Sequence, residues 1–271
     1  MIYETINLSD EYKNATLTTY VFDDVPDMTP PPRRAVIVCP GGGYGFLSER
    51  EAEPIVSRFF GAGFNVFLLR YSIAPEKLGY EPLTEAGRAI AHIRNNAERY
   101  HIQPDKIFIV GFSAGGHLAA SSGILWDCHE MQKEFCGQSK GINRPDGMIL
   151  CYPVITAGEF THRGSIQNLS GVKDYGDDIV NEWSLEKHVK ETTPPAFIWH
   201  TFADGAVPVQ NSLLLADAMT KSKVPFELHI YPEGPHGLSL GIEETANGNP
   251  EYKLPHIKGW IQLAIDWVNE Q

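Results

Sequence analysis

Six short runs of apolar residues, rich in Val, Ile and Phe, recur along the chain at 35–39, 64–70, 106–110, 147–152, 196–200 and 225–231. Most of them read as strands buried on both faces, because they are short and nearly continuous in apolar character. Between them, apolar residues return at helical spacing, as in Leu83, Ala86, Ile90, Ile93 and Ala97, or Trp260, Leu263, Ala264, Trp267 and Val268. Each set lays one apolar stripe along a helix. A further helix is expected through Ile55, Phe59 and Phe60, ending at Gly61 or Gly63, with Ser48 and Glu51 as a capping box and Pro54 in its early part. Strands that alternate with helices build βαβ units, so the fold class is α/β, a mostly parallel sheet with helices on both faces.

Residues 15–23 (ATLTTYVFD) alternate like a half-exposed strand and lead through Asp27, Met28 and Thr29 to the triple Pro30-Pro31-Pro32. This predicts antiparallel N-terminal strands ahead of the parallel core. Two stretches break the alternation, the polar loop at 126–144 and the segment at 157–195. The second is too long for an ordinary connection, so a lid or pocket wall is expected there. Otherwise residues 1–271 read as one domain, without internal repeats or a long linker.

With 22 Lys and Arg against 34 Asp and Glu, the net charge is −12, which speaks against a nucleic-acid partner. No apolar run approaches the ~18 residues of a membrane span, and residues 1–14 hold no apolar signal core, so a cytoplasmic protein is expected. Cys39, Cys128, Cys136 and Cys151 show no C-x-x-C spacing, against a zinc site or disulfide framework. Free thiols are expected, although Cys128 and Cys136 could lie close in one loop.

The chemistry is concentrated in Gly111-Phe112-Ser113-Ala114-Gly115, set between a strand and a helix-like run. That is the context of a G-x-S-x-G nucleophile elbow, in which small neighbours let a sharp turn project the serine hydroxyl. A serine capping a helix in a glycine-rich turn is the plainer alternative. A serine nucleophile needs a base, and His236 lies in Glu233-Gly234-Pro235-His236-Gly237, directly after the last strand. The other strand and helix histidines have readier structural explanations. Asp204, the only carboxylate in the turn after strand 196–200, is the expected acid in the chain order Ser, acid, His; Asp before Gly is also a common turn residue. Cys39-Pro40-Gly41-Gly42-Gly43-Tyr44-Gly45 follows the strand 35–39, and the amides of Gly42, Gly43 and Ala114 are expected to form an oxyanion hole. A phosphate loop is the weaker reading, since no Lys-Ser or Lys-Thr follows. Tyr44 and Val207 are expected to contact substrate, with plain packing the alternative for Val207.

These segments, together with GFSAGGHLAA, HTFADGAVPVQNS and YPEGPHGLSL, resemble the α/β-hydrolase superfamily, in particular its bacterial esterase/lipase-like branch that includes acetyl xylan esterases. The resemblance spans nearly the whole chain. It implies a triad of Ser113, Asp204 and His236, an oxyanion hole in the glycine loop, and hydrolysis of short acyl esters, often acetyl groups on plant polysaccharide fragments. Pro40 stands where the lipase pattern His-Gly-Gly-Gly has His, so the loop's outer support differs. The expected function is a serine carboxylesterase acting on a small-molecule or oligosaccharide ester, without metal or organic cofactor. Arylformamidase, feruloyl esterase and a non-catalytic ligand-binding protein on the same fold are the alternatives. Pairing of copies through exposed edge strands stays open.

Overall fold

The computed structural model describes residues 1–23, 27, 30–75 and 78–271. Met28 and Thr29, read above as part of the lead-in to the core, lie outside the described residues. The strands are β1 (Thr5–Asn7), β2 (Thr16–Tyr20), β3 (Arg33–Cys39), β4 (Asn65–Arg70), β5 (Ile102–Phe112), β6 (Gly147–Cys151), β7 (Ala196–Thr201) and β8 (Phe226–Tyr231). The helices are α1 (Glu53–Gly61), α2 (Glu81–Asn95), α3 (Ala114–Ile124), α4 (His129–Glu134), α5 (Arg163–Ser170), α6 (Asp177–Trp183), α7 (Gln210–Lys221), α8 (Glu243–Ala246) and α9 (Trp260–Glu270).

All eight strands join one sheet in the order β1-β2-β4-β3-β5-β6-β7-β8. β1 and β2 pair antiparallel, β2 meets β4 antiparallel, and every pairing from β4 to β8 is parallel. The chain moves from β3 outward to β4 and then back across β3 to β5. That reversal opens a crevice at the carboxyl ends of β3 and β5, where open α/β sheets place their ligands.

Strand residues alternate between two cores because successive side chains point to opposite faces. Val36, Val38, Phe108 and Val110 pack with Ile55 and Phe59 of α1 and with Trp260 and Ala264 of α9. Ala35, Ile37, Ile107 and Ile109 pack on the other face with Leu83, Ala86 and Ile90 of α2, Leu118 of α3 and Leu215 of α7. The parallel sheet covered on both faces is therefore present as expected.

Several local expectations shift. β5 begins at Ile102, because Arg33 of β3 pairs with that residue across a register shift, carrying Gln103, Pro104 and Asp105 into the strand. β2 is largely buried rather than half-exposed, with Leu17 packed into the core on one face. Leu263 faces solvent while Trp260, Ala264, Trp267 and Val268 are buried. The 157–195 segment folds as α5, α6 and a short 3-10 turn at Leu185–Lys187, with Ile166, Leu169, Trp183 and Leu185 buried against the core.

Candidate active site

Four loops meet at the carboxyl edge of the sheet. β5 runs directly into Ser113, whose φ of 54° and ψ of −116° put a non-glycine residue in a strained conformation. Its backbone is held there from both sides: the N–H donates to Cys151 O at 3.0 Å, and the carbonyl accepts from Val154 N at 3.1 Å. The flanking glycines are required by space. A Cβ on Gly111 would lie 2.0 Å from Gly115 O, and one on Gly115 would lie 2.3 Å from Cys39 O and Pro40 O.

Ser113 Oγ lies 2.7 Å from Nε2 of His236, and Nδ1 of His236 lies 2.6 Å from Asp204 Oδ2. The carboxylate is fully enclosed. Its other oxygen accepts the N–H groups of Ala206 and Val207, both at 2.9 Å, and Nε2 of His200 stands 3.4 Å from Oδ2. Burial alone would raise the Asp204 pKa, but the His200 ring beside it and the hydrogen bond from His236 hold it well below the usual carboxylate range. An ionised Asp204 only accepts, so Nδ1 of His236 carries the proton and Nε2 is left to accept from the Ser113 hydroxyl. Such a chain lets a hydroxyl pass its proton to an imidazole as the oxygen attacks.

The glycine loop after β3 faces the same space. Gly42 has φ 128°, and a Cβ on it would lie 2.0 Å from Phe46 O, so the loop closes only with glycine there. Among the described residues, nothing accepts a hydrogen bond from the N–H of Gly42 or Gly43. Ala114 opens α3, where the first amides of a helix also lack intrahelical partners. The loop is anchored from beneath by Glu51, which is buried. Glu51 Oε2 accepts Gly41 N–H at 2.9 Å, and Oε1 accepts the Tyr152 hydroxyl at 2.6 Å. Tyr152 Oη in turn accepts Ser239 N–H at 2.9 Å, which ties the glycine loop to the segment following His236. Ser48, expected to cap a helix with Glu51, makes no side-chain capping bond. Glu51 is committed elsewhere.

Ser113, His236, Gly42 and Gly43 line one cavity of about 650 Å³, together with Phe46, Arg50, Tyr252 and, from the 157–195 segment, His162, Gly164 and Asn168. Tyr44 and Val207 do not line it. Tyr44 is 1 % exposed and donates its hydroxyl to Nδ1 of His117 at 3.0 Å, because the loop turns its ring inward under Gly43. The Val207 side chain is fully buried, and only its backbone serves the site, donating to Asp204 and accepting Nε2–H of His200 at 2.9 Å. Glu51 and His162 were not singled out as site residues from the sequence. Glu51 could have been noticed as a carboxylate close behind the glycine loop. His162 carries no local mark, since its neighbours at the site come from distant segments.

Among the described residues, no group of three or more His, Cys, Asp or Glu is placed to hold a metal ion, and the four cysteines are free. No helix among them is long and apolar enough to cross a membrane.

The sheet, its crossovers and this cluster at the carboxyl edge define an α/β-hydrolase. The family model described as BD-FAE matches residues 24–219, and the chain belongs to that family. It is 40 % identical over 220 residues to endo-1,4-beta-xylanase B of Butyrivibrio fibrisolvens, covering 80 % of this chain and 34 % of that protein. It is 31 % identical over 242 residues to an acetylxylan esterase of Xylanibacter ruminicola, covering 88 % and 46 %. The chain thus spans about a third to a half of the length of these curated relatives. Among solved structures, an acetyl ester-xyloside bifunctional hydrolase from Caldicellulosiruptor lactoaceticus superposes with a TM-score of 0.81 at 33 % identity, covering 98 % of this chain and 96 % of that one. An acetylxylan esterase and an acetyl ester-xyloside hydrolase thus stand among the proteins this chain is similar to.

Proposed function

We propose that this chain is a serine esterase that removes short acyl groups, acetyl above all, from xylo-oligosaccharides or related carbohydrates. The observation that carries the reading is the unbroken chain Ser113 Oγ–His236–Asp204, with contacts of 2.7 and 2.6 Å, opening on the cavity. In this scheme Ser113 attacks the ester carbonyl while Nε2 of His236 takes its proton. Asp204 holds the Nδ1–H tautomer and stabilises the imidazolium. The amides of Gly42, Gly43 and Ala114 receive the oxyanion, a type of contact worth roughly 10²–10³ in rate per donor. The imidazolium then protonates the departing alcohol, and water repeats the cycle on the acyl-enzyme to release the acid.

The acetyl and carbohydrate assignment is supported by the relatives, one an acetylxylan esterase and another an acetyl ester-xyloside hydrolase. We read residues 1–271 as one domain, with α5 and its flanks as the pocket wall. The test is acetate release from acetylated xylo-oligosaccharide beside aryl acetate, butyrate and octanoate and methyl ferulate. The expected order puts the acetylated oligosaccharide and aryl acetate first. Preference for octanoate or for ferulate would overturn the substrate assignment.

A further inference from the structure

His162 sits in the cavity but has no place in the reaction scheme above. It is the N-cap of α5, and its Nδ1 accepts the backbone N–H of Ser165 at 3.3 Å. Ser165 Oγ lies 2.8 Å from the same nitrogen, and since Nδ1 is already an acceptor, that hydroxyl donates to it as well. With both donors on Nδ1, the proton of the neutral ring belongs to Nε2. Nε2 has no partner among the described residues, yet it is not among the buried polar atoms left unpaired, so the cavity's solvent reaches it.

The ring is fixed relative to the glycine loop. A Cβ on Gly43 would lie 3.9 Å from His162 Cε1, and Asn168, further along α5, donates from Nδ2 to Gly43 O at 2.8 Å. Burial lowers the His162 pKa and the nearby His236 lowers it further, against an opposing pull from Asp204, so the neutral ring is favoured. The cavity thus holds a preset N–H donor beside the expected oxyanion loop.

We propose that His162 is a specificity residue whose Nε2–H donates to an oxygen on the alcohol side of the ester, such as a sugar hydroxyl or ring oxygen adjoining the acetyl group. The inference rests on the proposed esterase reading of Ser113. An acetyl group offers only its carbonyl oxygen, which the loop amides receive, so a further donor finds its acceptor in the alcohol.

The test uses 2-methoxyethyl acetate and butyl acetate, which differ by one oxygen in place of a methylene, with their ratio of kcat/KM normalised to alkaline hydrolysis. The wild type is expected to favour the methoxyethyl ester by roughly fivefold, the worth of one hydrogen bond. His162→Asn keeps a good capping residue but loses the long-reaching donor, and the preference is expected to vanish while butyl acetate turnover stays within about twofold. His162→Phe, which also gives up the cap on Ser165, is expected to lose the preference as well, whatever its turnover of butyl acetate. Absence of a wild-type preference, a preference retained in both variants, or an equal fall for both esters would each overturn the assignment. A wild type inert to both esters sinks the esterase reading of the site instead. Acetate release from the oligosaccharide bears separately on the natural substrate, since the ratio decides the role of His162 without it.

Discussion

Asp204 holds His236 through one oxygen and its own loop through the other: Oδ2 lies 2.6 Å from Nδ1 of His236, while Oδ1 accepts Ala206 and Val207 N–H at 2.9 Å. In Asp204→Asn the amide oxygen satisfies the two loop N–H groups, so the NH₂ faces His236. Nδ1 must then accept, the proton moves to Nε2, and the base toward Ser113 is lost. A fall in kcat of roughly 10⁴-fold with little change in KM is expected from steady-state kinetics. A loss below tenfold would contradict the role given to Asp204.

Glu51 is a second buried carboxylate, and it joins Gly41 to Tyr152. Glu51→Ala strands the Gly41 amide and removes an acceptor from Tyr152, at about 1–3 kcal/mol for each buried group left unpaired. Urea unfolding is expected to show that loss, with kcat falling as the glycine loop loosens. Unchanged stability would show that water or a local shift satisfies both groups.

Two buried groups outside the cavity set opposite pH dependences. Burial lowers the His117 pKa from 6.5 to about 4, partly opposed by its bond to Trp183 O. The unfolded chain binds the extra proton, so the stability His117 contributes is full above 6.5 and lost as pH falls toward 4. Burial raises Glu85 from 4.5 to about 7, against the bonds from Ser72. Its contribution is full below 4.5 and lost as pH rises toward 7. Each slope reaches up to about 1.4 kcal/mol per pH unit. Relative to wild type, His117→Gln should therefore lose stability as pH rises through its window, and Glu85→Gln should gain it through its own. Differences that stay flat with pH would contradict both assignments.

The strands were legible because burial on both faces leaves nearly unbroken apolar runs, as in Ile107 to Val110. Gln103 to Asp105 escaped notice, since their place in β5 follows from pairing with β3 at Arg33 and not from their own character. The order of Ser113, Asp204 and His236 could be read because each follows a strand whose end the apolar pattern already marked. Tyr44 and Val207 lie next to site residues in sequence, but the loops turn their side chains into the core. Glu51 and Tyr152 meet across 101 residues, a distance over which no local pattern speaks.

The central claim is that Ser113 is a nucleophile activated by His236, and active-site labelling with a fluorophosphonate, read by intact and peptide mass, tests it most directly. The account predicts one adduct, on Ser113, absent in Ser113→Ala and formed at least roughly 10³-fold more slowly in His236→Ala. An adduct on another residue, or a wild type that hydrolyses esters while Ser113 stays unlabelled, would contradict it.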